Sequence, residues 1–263
     1  MSVQITLVFL FNFIIALIGT LAYSVRLVGV RTGRIAVSFA IFNVLMLISR
    51  TANTFQFPLL TKYVERNPHP DELVNLFYLI IIVAGMATIV GAILIPTFQR
   101  ILYKGVLSFS VDRSISRLIM HSFSKSGMSY IKECIASPAK ENITKLNWRK
   151  LPMKIIILNM VTVALLTVGG LAPIFAGSID PRFRATCITL SSIINGIALI
   201  IMSVFVDPQL SVMTDDVVDG KCGEKDFRVC VVGMVVSKTV GTFLAILLLI
   251  PASYIIVYFA RLI

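Results

Sequence analysis

Asp215, Asp216 and Asp219 spell DDxxD. On a helix that spacing can bring carboxylates to one face, where they hold Mg²⁺ against a diphosphate. Prenyl-chain synthases use two such clusters and this chain has one, so the alternative is an acidic loop with no chemistry. The other candidates are cations inside apolar runs. Arg50 follows a mostly apolar stretch and leads into Thr51, Asn53, Thr54 and Gln56, while Lys238 stands between Ser237 and Thr239. If those runs cross a bilayer, an Arg or Lys there costs at least ~2.5–3.5 kcal/mol and normally faces a wet cavity or a partner. Every Asp and Glu lies in a polar join, so the implied partner is water or a visiting anion. Plainer readings stand beside these: Arg50 snorkels to a nearby surface, and the last span begins only near Lys238. His69 and His121 are the two histidines, with no HExxH, no Ser/His/Asp grouping and no G-x-x-x-x-G-K-[ST]. Zinc, acid–base and ATP chemistry therefore have no footing. Cys134, Cys187, Cys222 and Cys230 show no CxxC and read as reduced thiols. No cofactor and no metal is expected.

The elements that must position these residues follow from composition. The chain has 263 residues, 57% hydrophobic and 14% charged, with a mean hydropathy of +0.91. Soluble domains average about 45–50% apolar and about 25% charged. These numbers exclude a disordered chain and a monodisperse water-soluble enzyme. They predict an all-α polytopic membrane protein. Six runs reach the roughly 20 residues that a ~30 Å hydrocarbon core needs, near 4–25, 35–58, 73–98, 153–177, 185–206 and 229–258. The first lacks the basic start and small-residue cleavage site of a signal peptide.

Lys and Arg total 24 against 13 Asp and Glu. Arg26, Arg31 and Arg34 fill the first join, and the third, 99–152, is densely basic, with Arg113, Arg117, Lys125, Arg149 and Lys150. The positive-inside rule then puts the first, third and fifth joins in the cytoplasm and both termini outside the cell. Within the linker, Ile115, Leu118, Ile119 and Phe123 recur at helical spacing. That pattern fits a basic amphipathic helix on the inner leaflet, or else a solvated loop. The excess charge also calls for anionic partners, either membrane lipids or a phosphate-bearing substrate. A nucleic acid is not expected, since no basic, aromatic-bearing domain lies outside the membrane.

Sliding the chain by 150 residues aligns Gly19 with Gly169, Arg34 with Arg184, Phe55 with Phe205, Pro58 with Pro208, and Gly91 with Gly241. Either this is chance among apolar runs or the chain is two three-helix repeats, 1–98 and 153–263, joined by the linker 99–152. Three spans separate the copies, so the second would be inverted, the architecture of alternating-access carriers. Asn43 and Asn195, mid-span, read as helix–helix glue.

Three stretches, IGTLAYSVRLVGVRTGRIAVS (18–38), ISRTANTFQFPLL (48–60) and VDPQLSVMTDDVVDGK (206–221), resemble the Amj family of alternative lipid II flippases, bacterial inner-membrane proteins that overlap in function with MurJ. The resemblance runs from the first span to the last. It implies a carrier, not an enzyme, that moves lipid II, an undecaprenyl-diphosphate-linked peptidoglycan precursor, across the bacterial plasma membrane. Another polyprenyl-diphosphate-linked sugar is the nearest alternative cargo. An intramembrane prenyl-diphosphate enzyme using Asp215, Asp216 and Asp219, and a non-transporting scaffold, are the alternatives in other classes. For a carrier, Arg26, Arg31, Arg34, Arg50 and Lys238 would form the diphosphate path, with Arg182 and Arg184 at the outer mouth. Pro58 and Pro208 would end the second helix of each triplet. Asp207 and Asp215 would form a gate at the cytoplasmic mouth, near Arg34.

Overall fold

The computed structural model describes residues 3–67, 69–112, 132–136 and 151–263. The first span is a pair of helices, α1 (Val3–Leu21) and α2 (Tyr23–Thr32), joined at Ala22. Gly33 ends α2 at φ +65, the left-handed turn that glycine takes without strain. Long helices α3 (Ile35–Arg66), α4 (Pro70–Asp112) and α5 (Met153–Ile179) follow. The fifth span is broken into a short turn at Pro181–Phe183, α6 (Arg184–Thr189), α7 (Ser191–Ile201), a π turn at Met202–Val206, and α8 (Asp207–Val218). Helix α9 (Glu224–Leu262) ends the chain. Six helical spans are long and apolar enough to cross a membrane, as the composition requires.

The first three spans and the last three, called the halves below, share one packing relation. In the first, α1 packs on both α3 and α4; in the second, α5 packs on both α7 and α9. The halves meet where α4 lies against α9 and α5, and there the Phe77 and Phe175 rings sit 5.3 Å apart. Gly91 lets α4 approach α1 at Thr20, and Gly241 lets α9 bear directly on the Met160 carbonyl of α5. Gly19 and Gly169 face unlike neighbours, Lys238 of α9 and Asn195 of α7.

Several sequence expectations are corrected. Pro58 does not end the second span: α3 runs on to Arg66, because Leu60 and Val64 extend its apolar stripe into the core. Nor does Pro208 end the fifth. It occupies the first turn of α8, where a missing N–H costs nothing, and the π turn before it absorbs the register change, with the Asp207 N–H bonded to the Met202 carbonyl. The acidic stretch expected as a loop is therefore largely helix, anchored by buried Leu210 and Thr214. Arg26 and Arg31 belong to α2, not to a join. Helix α4 likewise continues into the expected linker as far as Asp112. Pro68, the basic residues Arg113, Arg117, Lys125, Arg149 and Lys150, and the proposed amphipathic segment at Ile115, Leu118, Ile119 and Phe123 lie outside the described residues. One face of the bundle carries Thr32, Asp112, Met153 and Glu224, and is called the basic face below; the other carries Arg66, Asp180 and Leu262.

Candidate functional site: a polar seam between the halves

Lys238 lies well inside α9, which begins at Glu224. The helix that carries this lysine therefore starts fourteen residues before it. Its Nζ fits over Gly19 of α1, where an added Cβ would stand 2.5 Å away. The ammonium also lies 5.7 Å from the centroid of the Tyr23 ring, a contact of roughly 0.5–2 kcal/mol. Among the described residues it has neither a hydrogen bond nor a carboxylate.

The groups beside it form a closed network. The Tyr23 hydroxyl donates to Asn159 Oδ1 at 3.0 Å. Asn159 Nδ2 donates to Ser237 Oγ at 2.7 Å and to the Met234 carbonyl at 3.2 Å. Ser237 Oγ donates to the same carbonyl at 2.9 Å. Asn159 is fully buried, and its amide is spent on α2 and α9, holding the halves together. Helix α9 thus presents Ser237 to the network and Lys238 to the first half, with the cation left over. Toward the basic face, Leu27, Phe227 and Val231 form an apolar plug with Tyr23. Toward the other face, the main core, including Leu60, Phe77, Phe175 and Leu249, closes the bundle.

The basic face carries a second layer of charge. Arg26 Nη1 donates to Ser211 Oγ at 3.0 Å, and its Nη2 lies 3.5 Å from Asp207 Oδ1. The guanidinium also covers the Phe39 ring at 5.1 Å. Asp207, expected near Arg34, instead pairs with Arg26, because α8 continues as a helix beside α2. Arg34 instead precedes α3 as an exposed residue, accepting the Ser38 hydroxyl on its carbonyl. Beside this pair, Arg31 and Arg228 share Glu224, at 2.8 and 2.9 Å.

The remaining predicted residues are dispersed. Arg50 is exposed on α3, away from Lys238, and accepts a bond from Thr54 on its backbone carbonyl. On the opposite face Arg182 is exposed, while Arg184 Nε donates to the Gly177 carbonyl at 3.1 Å. Arg261 pairs there with Asp180 at 2.7 Å. Asn195 does act as helix glue, its Nδ2 reaching the Gly169 carbonyl at 3.5 Å. Asp215 and Asp216 lie in the last turns of α8, and Asp219 pairs with Lys221 at 2.8 Å. Among the described residues no three His, Cys, Asp or Glu side chains converge on a metal position. The described cysteines are free thiols.

Sequence reasoning missed Gly19 as a packing partner, and Tyr23, Asn159, Ser237, Glu224 and Arg228. Asn159 was the findable one, a polar residue in an apolar run of the same kind as Asn195.

No solved structure matches this chain. A protein from Bacillus subtilis (strain 168) named lipid II flippase Amj is 31% identical over 99% of this chain and 98% of its own length. The family described as Amj, alternate to MurJ, matches residues 11–260. A match of that extent, running through all six spans and both charge layers, makes this chain a member of the Amj family.

Proposed function

We propose that the chain is a lipid II flippase, moving the undecaprenyl-diphosphate-linked precursor from the inner to the outer leaflet of the plasma membrane. The observation that carries this is the full-length relation to the Bacillus subtilis flippase. The seam supports it chemically: a headgroup diphosphate needs cations that are not already neutralised, and Lys238 has no carboxylate among the described residues.

In this reading the basic face is cytoplasmic, as the Lys and Arg distribution favours. Arg26, Arg31 and Arg34 receive the diphosphate, Lys238 holds it between the halves, and Arg182 and Arg184 lie at its exit. Arg50 flanks the path from the exposed side of α3. Asp207 neutralises Arg26 in the empty state and yields it to the incoming anion; Asp215, one face along α8, adds acidic charge to the same mouth. The like internal arrangement of the halves supports inverted repeats that rock about the seam. An inside-negative potential drives a net anion outward by ~2.3 kcal/mol per charge per 100 mV, so ATP is not needed.

The test is a depletion assay in bacteria lacking other lipid II flippases. Expression of this chain should restore growth and lipid II in the outer leaflet. Lipid II retained in the inner leaflet, with the protein present in the membrane, would refute the reading.

A further inference from the structure

On the basic face, one carboxylate oxygen is shared by arginines from both halves. Arg31 of α2 donates to Glu224 Oε1 through Nε at 2.9 Å and Nη2 at 2.8 Å. Arg228 of α9 donates to the same oxygen through Nη2 at 2.9 Å. Arg31 Nη1 is steadied by Gln99 Oε1 of α4 at 3.2 Å. The Arg228 Nε is buried without a partner. Two guanidinium forks thus converge on a single oxygen, and one of their donors goes unused. The trio keeps a net positive charge, and its Glu224 and Arg228 line an open depression of about 530 Å³ together with Gly223, Lys225 and Asp226.

That donor set suits a phosphate better than a carboxylate. A diphosphate carries an oxygen pair on each phosphorus, one for each fork, so both can bind bidentately, Nε of Arg228 included. The site also lies where the last turn of α2 meets the first turn of α9, at the ends of two spans.

We propose that Arg31 and Arg228 form a reception site for a lipid phosphate at the basic face, and that the Glu224 carboxylate occupies it when no lipid is bound. The identity of the lipid rests on the flippase reading; the phosphate chemistry does not. Because Arg31 and Arg228 come from different halves, an arriving phosphate replaces the contact that ties them with one it supplies itself. Glu224 then becomes a resident competitor whose removal frees both arginines.

The whole chain in phosphatidylcholine nanodiscs, titrated with fluorescent undecaprenyl diphosphate, tests this through opposite signs. Arg228→Gln should weaken binding by about tenfold or more, since a bidentate charge-assisted contact is lost. Glu224→Gln should tighten it by about threefold or more, since the competing charge is gone. Arg228→Lys, which keeps the charge and loses the fork, should fall between wild type and Arg228→Gln. If Arg228→Gln is not monodisperse, Glu224→Gln and Arg228→Lys decide. Weaker binding in Glu224→Gln, or no binding by the wild type, overturns the proposal. Displacement by phosphatidylglycerol at equal mole fraction assigns the site to bulk anionic lipid; resistance to it assigns the site to the carried diphosphate lipid. Opposite signs together with a failed depletion assay would remove the flippase reading and leave the phosphate site standing.

Discussion

The amine of Lys238 occupies the volume that a side chain at Gly19 would need, an added Cβ lying 2.5 Å from Nζ. A helix of the second half has placed its cation inside the envelope of a helix of the first. The pairing explains why a residue of poor helix propensity sits near the end of α1, where alanine would otherwise be favoured by about 0.8–1.0 kcal/mol.

Gly19→Ala should therefore displace Lys238 and lower both thermal stability in detergent and complementation. Gly196→Ala is the control, because nothing lies within 4 Å of its added Cβ; it should be neutral or stabilising by about 0.5–1 kcal/mol. Equal behaviour of the two variants in a melting assay would contradict the packing.

Lys238→Met keeps the length and the apolar contacts of the stem while removing the charge. It should abolish complementation, a loss of at least about tenfold if one charge-assisted contact to the diphosphate disappears, with membrane levels unchanged. Immunoblotting of membranes beside the depletion assay separates loss of transport from loss of protein. Wild-type growth would take Lys238 out of the path.

Arg26 and Asp207 can be exchanged. Each single reversal, Arg26→Asp or Asp207→Arg, should impair flipping, and the double reversal should recover part of it. The recovery will be modest, since Asp207 is about half exposed (51%) and such pairs are worth about 0–1 kcal/mol. Additive losses across the cycle would show that the pair does not act as a gate.

Orientation is read by cysteine labelling in a background with the four native cysteines replaced. Lys225→Cys should be modified only after the membrane is permeabilised, and Glu65→Cys in intact cells; both positions are exposed, near opposite ends of the bundle. The reverse pattern would invert the direction of transport proposed for the charge layers.

Much of the fold was written in hydropathy, since six apolar runs admit few other solutions. Their ends were harder. Helix α3 passes Pro58 and α8 starts at Pro208 because tertiary packing of Leu60, Val64 and Leu210 outweighs the local signal of a proline. Lys238 was legible as an unneutralised cation in an oily run. Its companions were not: Tyr23 reaches Asn159 across 136 positions, and Arg31 reaches Glu224 across 193. Glu224 reads in the sequence as one more acid in an acidic join. Only the fold shows that its oxygen is where two arginines from separate halves meet.

In the rocking proposed above, the direct bearing of Gly241 on the Met160 carbonyl would serve α9 as a fulcrum. Glu224 lies about 25 Å along the helix from that point and Lys238 only about 5 Å, both on the same arm, with no proline between them; Pro251 interrupts the helix only on the far side. Such a lever has a mechanical advantage of about five. In that motion a swing of several ångströms at the Glu224 end would move the amine by about one. Force applied at the Glu224 end would thereby be concentrated on Lys238, so small repositioning at the seam could be driven by loose, weakly held charges at the rim.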